Sequence, residues 1–463
     1  MTDVSTSGLC RLAVRTPRRL VELAVPADVP VADLLPTLLD HAGGGLAEEG
    51  IEHDGWVLQR LGEEPLDAES TLEDLALRDG ETLHLRPRSQ ALPPLHFDDL
   101  VDAVATTMRT RPHGWAERTS RWLLRAATVA FLAAGLVVLS LTGGASTLRA
   151  AAAAATAVLV LCGAVAASRA VGDSAAGAAL GALVPPYLAL AGALLPQGVP
   201  GPQLTGARLL AGSAAGAGGA VLAVAAVAAF VPLLAGAAVV AVAGVLWGGL
   251  MMLLDVSAGH AASVVAVAAV LFGGLVPGIS FRLSGLRLPA LPTNAEQLQE
   301  GIEPHPHQQV VDRTALAEEW MTALYAATGL VCTALVTVLV AGRPGTPALV
   351  TAAVLSVLLL LHARGVGHAW QRPAVLAPGL YGLVLMAVQL ATTMDAQRRP
   401  ALLAVLLALA ASTAIASWTV PGRRLLPYWG RGADVLHTLC AVALLPLSLW
   451  VLGVYATLRG ISG

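Results

Sequence analysis

"TLEDLALRDGETLHLRPR", residues Thr71–Arg88, is the stretch that decides the fold of the first part of this chain. Its Asp-Gly pair at 79–80 predicts a tight turn, and the residues after the pair alternate between apolar and polar as a half-buried strand does. We expect a short turn of helix over Thr71–Leu77 and then a final strand. The side chains expected to lie under the sheet or in its core are Leu72, Leu75, Leu83 and Leu85.

The residues before this stretch predict the remaining elements of a small α+β domain. Alternating stretches at 8–15 and 20–25 favour a β-hairpin, and apolar residues at helical spacing from Val31 to Leu39 favour a helix that ends at the glycines after it. Residues 56–66 predict a strand, a turn and a short strand. This order of elements is the ubiquitin-like, or β-grasp, order, and residues 1–90 form the predicted domain.

Covalent conjugation is not expected of this domain. The chain continues after Arg86 with "PRSQALPP" instead of a Gly-Gly terminus, and it contains no lysine, so all 28 basic residues are arginine. Residues 1–90 hold 17 acidic residues against 8 arginines, a balance of −9. We therefore expect a docking surface, and the absence of an N-terminal signal peptide predicts that this surface stays in the cytosol.

The composition of the whole chain predicts an integral membrane protein. Hydrophobic residues make up 56% of it, charged residues only 13%, and the mean hydropathy is +0.70, whereas soluble domains carry about 25% charged residues. The four cysteines show no close pairing, so they are expected to act as small apolar residues without disulfide or metal roles.

Residues 91–121 form a polar linker with an amphipathic helix marked by Phe97, Leu100, Val101 and Val104. Two interpretations of the arginines in and beside it stay open. They are an ordinary cytosolic flank under the positive-inside rule, or they bind anionic headgroups or a partner. The candidate partner or lipid contacts are Arg109, Arg111, Arg118, Arg121, Arg125 and, in a later loop, Arg313.

Eleven segments are long and apolar enough to cross a bilayer core of about 30 Å. Six lie in residues 122–281, a cytosolic loop follows at 282–319, and five lie in residues 320–463. The segments lie near 122–142, 149–168, 174–195, 207–229, 233–254, 260–281, 320–341, 346–363, 373–393, 400–418 and 434–458.

The break between the fourth and fifth segments is the least marked, and Pro232 is the expected site of the hairpin. With eleven spans and a cytosolic N-terminus, nine loop arginines face inside and six outside. Merging the two segments would reverse that balance, so the positive-inside rule favours eleven spans and an external C-terminus.

Small-xxx-small spacing predicts close helix packing at Gly177–Gly181, Gly212–Gly216, Gly244–Gly248 and Gly274–Gly278.

No motif for catalysis, cofactor binding or nucleic-acid binding is present in the sequence. A phosphate loop, a zinc motif and a nucleophile elbow are all missing, and the His-x-His of "EPHPH" at 303–307 lacks further ligands. Asp255, Asp395 and Asp434 lie at span ends, near water. The pattern favours a non-enzymatic scaffold. The alternatives are a secondary transporter with a regulatory domain, disfavoured by the odd span count and the missing repeat, and a membrane enzyme.

The combination resembles the EccD family, the many-spanning subunit of the type VII (ESX) secretion system. The resemblance covers the ubiquitin-like front, the linker into "RWLLRAATVAFLAAG", the eleven spans and the loop after the sixth. That loop starts with a pattern similar to the family's, formed by Arg282, Leu283, Gly285, Leu286, Leu288, Pro289, Leu291 and Pro292.

The resemblance implies a structural component of the inner membrane. It implies a second copy of the chain, with lipid filling the space between the two, and assembly with EccB, the ATPase EccC and EccE. It further implies that the ubiquitin-like domain contacts the cytosolic part of EccC, which would supply the energy.

Overall fold

The computed structural model describes residues 9–17, 19–43, 46, 55–91, 101, 104, 117–286, 306–342, 344–420 and 427–461. The chain divides into two compact units, Met1–Ala116 and Glu117–Gly463. Arg109, Arg111 and part of the expected amphipathic helix lie outside the described residues, as do residues 287–305 of the long loop. Of the linker helix, Val101 and Val104 are described, and both are helical with exposed side chains.

The N-terminal unit has the predicted ubiquitin-like architecture. Its elements are β1 (Leu9–Arg15), β2 (Leu20–Pro26), α1 (Val31–Ala42), β3 (Trp56–Gln59) and β4 (Glu81–Pro87). The four strands form one sheet in the order β2-β1-β4-β3. β1 pairs antiparallel with β2 and parallel with β4, and β3 pairs antiparallel with β4.

The core of this unit lies between α1 and one face of the sheet. Alternation places Leu12 and Val14 of β1 and Leu83 and Leu85 of β4 on that face, each at most 2% exposed. The helix contributes buried side chains at helical spacing, Val31, Leu34, Leu38 and Ala42. Of the leucines predicted to lie under the sheet or in its core, Leu72, Leu83 and Leu85 are buried, and Leu75 is partly buried and packs against the same core.

The Asp-Gly turn is present, and it is tied to β1. Gly80 has a φ of +82°, a conformation that favours glycine. The Gly80 N–H donates to the Arg11 carbonyl at 2.7 Å, and the Arg11 N–H donates to Asp79 Oδ1 at 2.6 Å.

Two local elements differ from expectation. Residues 72–76 form a turn instead of a short helix, because Ala76 is left-handed with a φ of +50° and the Leu77 N–H bonds to the Leu72 carbonyl. The short strand expected near residue 65 is a single bridge between Gln59 and Pro65.

The second unit contains eleven helical spans long and apolar enough to cross a membrane, within the residues that the structure describes. The third span consists of two shorter helices, Ser174–Gly181 and Val184–Leu194. The helices are α2 (Glu117–Ser140), α3 (Ser146–Val165), α4 (Ser174–Gly181), α5 (Val184–Leu194), α6 (Pro202–Val227), α7 (Val231–Leu254), α8 (Ala258–Leu283), α9 (His307–Val340), α10 (Thr346–His362), α11 (Gln371–Thr393), α12 (Arg399–Thr419), α13 (Pro427–Val451) and α14 (Val454–Ile461).

The predicted hairpin between the fourth and fifth spans is present. Ala228 and Phe230 are left-handed, with φ of +55° and +53°, and Pro232 lies in the first turn of α7. A proline is tolerated there because the first N–H groups of a helix have no partner within it. Residues 202–254 therefore form two separate helices, each long and apolar enough to cross a membrane.

Three helix boundaries differ from the expected segments. The third span breaks at residues 182–183, just before Pro185 and Pro186. The helix of the seventh span begins at His307, inside the expected 282–319 loop, and its residues 307–316 are exposed. The last segment, expected at 434–458, is α13 followed by the short helix α14.

Glycines and alanines set the spacing of the helices in the N-terminal half of this unit. A Cβ added at Gly248 would lie 2.6 Å from the Leu210 nitrogen, and one at Gly212 would lie 2.8 Å from the Ala189 carbonyl oxygen. Of the four small-xxx-small pairs, three lie at such helix contacts, whereas Gly274 and Gly278 face open space. The C-terminal half packs around α9, the most buried span.

Candidate functional site

An ion pair connects α2 to the loop before α4. Arg125 donates to the Asp173 carboxylate, and Asp173 in turn accepts the Ala176 N–H at 2.9 Å as the N-cap of α4. These contacts, the Ala176 N–H first and the Arg125 guanidinium second, hold the pKa of Asp173 below its usual value. Together with Arg121, the pair lines a surface cavity of about 700 Å³.

Arg125 is thus the predicted contact residue that the structure places beside an acidic partner. Arg121 lines the same cavity. Arg118 lies in the first turn of α2, and its side chain is outside the described residues. A guanidinium beside a carboxylate at the end of an apolar helix is suited to charged headgroups or to a polar partner segment.

Arg313, the sixth predicted contact, hydrogen-bonds to the backbone at the end of α8. Its Nη1 donates to the Gly285 carbonyl at 3.0 Å, just beyond α8. Gly285 has a φ of +76°, as is common where a helix ends. Arg313 therefore binds the start of the long loop to the first turns of α9.

The same use of arginine recurs at other helix ends. Arg169 donates to the Ala225 and Ala226 carbonyls at the end of α6, and Arg149 donates to the Leu139 and Leu141 carbonyls at the end of α2. Unpaired carbonyls and the helix dipole make these ends negative. Several of the arginines that indicate topology therefore also stabilise helix ends.

A second polar cluster lies where α10 and α13 meet. Arg364 Nη1 lies 3.5 Å from Asp434 Oδ1, and the His362 and His437 rings stack with centroids 5.5 Å apart. The ring of Tyr325 in α9 also lies beside His362, with centroids 5.9 Å apart. The cluster lines a cavity of about 380 Å³. The sequence predicts Asp434 only as a residue at a span end, because the contacts that join it to the cluster are made between distant spans.

Buried polar side chains elsewhere in the spans bond mainly within their own helices. Thr328 and Ser356 donate to carbonyls four residues earlier, each at 2.8 Å. Among the described residues, no group of three or more His, Cys, Asp or Glu side chains could hold a metal ion.

Comparison with known proteins matches both units. The family profile described as "EccD-like transmembrane domain" matches residues 120–461. The profile described as "WXG100 protein secretion system (Wss), protein YukD" matches residues 9–85.

Two curated relatives come from Mycobacterium tuberculosis. The chain is 29% identical over 473 aligned residues to "ESX-4 secretion system protein eccD4", with 98% of each chain covered. It is 30% identical over 141 residues to "ESX-3 secretion system protein EccD3", covering 28% of this chain and 29% of the relative.

Two solved structures share the fold. "Structure of protomer 1 of the ESX-3 core complex" aligns with a TM-score of 0.58 at 20% identity, covering 97% of this chain and 100% of that one. "MycP5-free ESX-5 inner membrane complex, State II" aligns with a TM-score of 0.59 at 18% identity, covering 89% and 99%.

Proposed function

Because the chain belongs to the EccD family, we propose that it is a structural, non-enzymatic membrane subunit of a type VII (ESX) secretion complex. The observation that carries the proposal is the full-length match: one relative named as an ESX-4 secretion system protein aligns over 98% of the chain, through both units. A transporter with an appended regulatory domain would share neither the spans nor the front domain with such a protein.

In this proposal, the subunit pairs with a second copy in the inner membrane. Uncovered apolar helices support the pairing. None of the described side chains of α12 is buried, and no residue in the most apolar window of α2 is buried. Exposed apolar side chains on these helices include Phe131, Leu407 and Trp418. A second copy and membrane lipids would cover such surfaces.

The ubiquitin-like domain is the proposed adaptor to the cytosolic ATPase EccC, with EccB and EccE as further partners. Its separate core, closed by α1 over one face of the sheet, supports an independent docking module. In this proposal the N-terminus lies in the cytosol and the C-terminus on the opposite side of the membrane, an orientation that the arginine distribution favours.

Affinity purification of the tagged full chain from its native membrane tests this function. We expect EccB-, EccC- and EccE-like proteins to co-purify in constant ratios, and a tagged unrelated multi-span transporter to recover none of them. Recovery of this chain without any of these subunits would contradict the scaffold and favour the transporter.

A further inference from the structure

One face of the ubiquitin-like sheet is covered by α1, and the other carries a cluster of cations. Along β1, the side chains that alternate with buried Leu12 and Val14 include Arg11 and Arg15, both exposed. The parallel register of β1 and β4 places Arg15 beside His84, and Arg86 follows two residues later on the same face. We call Arg11, Arg15, His84 and Arg86 the basic face.

The three guanidinium groups of the basic face have no hydrogen-bond or salt-bridge partner among the described residues. Other arginines of the domain do have partners: Arg19 donates to the His41 and Ala42 carbonyls, and Arg60 pairs with Glu81 at 2.6 Å. Unpaired cations side by side repel one another, so a ligand that neutralises them is favoured.

The positive charges of this face act on the pKa of His84. Partial burial, and after it the charges of Arg86 and Arg15, lower its pKa. The field is local, because residues 1–90 as a whole carry a balance of −9. On the open face of the sheet, Arg11, Arg15, His84 and Arg86 outnumber one acidic side chain, Glu22, which is exposed on β2 opposite Ala13. This face is therefore more positive than the acidic domain as a whole.

The chemistry of the face fits an acidic protein segment. Neighbouring strands lie about 4.8 Å apart, and residues two apart on a strand lie about 7 Å apart, which is similar to the spacing of carboxylates on an extended or helical peptide. Small side chains, Ala13 and Thr82, lie between the cations and allow a peptide backbone to approach. Exposed Leu9 and Leu20 at the edge offer apolar contacts.

An anionic membrane surface is the less favoured ligand. The Debye length is about 8 Å at physiological salt, so a bilayer surface would also meet the acidic remainder of this small domain. A peptide that fits within the face would avoid that repulsion.

We propose that the basic face, Arg11, Arg15, His84 and Arg86, binds an acidic segment of a partner protein with apolar residues beside its carboxylates. This names the surface behind the adaptor role proposed above and rests on that role. It reverses the expectation from net charge alone, under which the domain would favour basic partners.

Binding of a defined probe tests the charge chemistry. The full chain in phosphatidylcholine nanodiscs is titrated into a fluorescent twelve-residue peptide of ten Glu and two Leu, and into its Gln counterpart. We expect Arg15→Glu and Arg86→Glu each to weaken binding of the acidic peptide roughly fivefold, and added salt to weaken it further. Arg78→Glu makes the same charge change at an exposed turn outside the face and should change binding less than about twofold.

Equal losses for Arg78→Glu and Arg15→Glu, or equal binding of the Gln peptide, would overturn the proposal. Phosphatidylglycerol vesicles test the alternative that the face binds an anionic membrane. Tighter binding of vesicles than of the acidic peptide, lost in Arg15→Glu, would assign the face to a membrane surface instead.

Photo-cross-linking in intact cells identifies the native ligand of the face. A photoreactive residue replaces Thr82, which is exposed on the face, and a control replaces Glu73 in the turn outside it. We expect cross-links from position 82 to protein segments in which acidic residues outnumber basic ones. Cross-links to phospholipid alone, or to basic segments, would contradict the proposal.

Two further results distinguish a wrong basic face from a wrong adaptor role. Loss of the ATPase on deletion of residues 1–90, with full ATPase binding in Arg15→Glu and Arg86→Glu and no acidic cross-link, would reject the basic face and keep the adaptor. Retention of the ATPase after the deletion would reject the adaptor.

Discussion

Arg60 joins three separate segments of the ubiquitin-like domain through one guanidinium group. Its Nε lies 2.6 Å from Glu81 Oε1 at the start of β4, and its Nη1 lies 3.3 Å from Glu63 Oε2. Its Nη2 donates to the Leu75 carbonyl at 3.1 Å. With the Arg60 and Glu81 side chains only 24% and 23% exposed, solvent screens this pair less than a surface salt bridge.

Acid should weaken this contact. Burial alone would raise the pKa of Glu81, but hydrogen bonds from Arg60 and the Arg78 N–H outweigh it, so the pKa lies below its usual 4.5. Stabilisation by a carboxylate with a lowered pKa is complete above its unfolded pKa and is lost as the pH falls through the folded one. We expect Glu81→Gln to lower the free energy of unfolding at pH 7, and the difference from wild type to shrink below about pH 4.5.

Urea-induced loss of hydrogen-exchange protection in β1 and β4 peptides of the full chain measures this difference. The exposed Glu73→Gln serves as the control and should give the same small effect at both pH values. A Glu81→Gln difference that stays constant from pH 7 to pH 3 would contradict the role of the charged pair.

Leu83 is the residue on which the small core depends most directly. It is 0% exposed and belongs to the core between α1 and the sheet. Leu83→Ala should cost about 2–5 kcal/mol of unfolding free energy, whereas the neighbouring exposed Thr82→Ala should cost less than about 1 kcal/mol. Exchange protection of the β1 amides measures both costs, and similar values for the two variants would refute the assigned strand register.

Helix packing in the N-terminal half of the membrane unit depends on glycine at particular positions. Gly248 of α7 faces α6, where an added Cβ would lie 2.6 Å from a backbone nitrogen and 2.8 Å from the Gly206 carbonyl oxygen. Backbone atoms cannot move aside as a flexible side chain can, so the two helices would have to separate.

Gly248→Ala should therefore destabilise the membrane unit, and its neighbour supplies a matched control. At Gly249 nothing lies within 4 Å of an added Cβ, so Gly249→Ala should be neutral or stabilising by up to about 1 kcal/mol, because alanine favours helix. Thermal aggregation of the purified chain in detergent compares the variants. Equal midpoints for Gly248→Ala and wild type would contradict the close packing of α6 on α7.

The periodicity of apolar residues is sufficient to predict the elements that pack against segments close to them in the sequence. The β1–β2 hairpin, α1 and the eleven spans are of this kind. The early start of α9 was missed because residues 307–316 are polar and exposed, so no apolar signal marks them.

The break of the third span and the side-chain clusters depend on contacts that local patterns do not contain. Ala182 and Leu183 are good helix formers, so only the prolines after them hinted at the break. Arg15 and His84 meet only through the parallel pairing of β1 with β4, and Arg364 and Asp434 only through packing between spans.

The topology of the whole molecule is testable by labelling. In a chain without its four native cysteines, Gln308→Cys should resist an impermeant thiol reagent in intact cells. Nine of the fifteen loop arginines lie on the same side of the membrane as Gln308 in the eleven-span topology, and the positive-inside rule assigns that side to the cytosol. Gln197→Cys, in the loop between α5 and α6, and Ser462→Cys should react. Labelling of Gln308→Cys as strong as that of Ser462→Cys would contradict the proposed orientation.

In the proposed function, the ubiquitin-like domain connects the ATPase to the membrane unit. The most direct test is the ratio of ATPase to this subunit in complexes purified with and without residues 1–90. Because the membrane unit has its own core, we expect the shortened chain to insert and to keep its second copy. We expect it to lose most of the ATPase, and secretion with it. An unchanged ATPase ratio with unimpaired secretion would contradict the adaptor role of this domain.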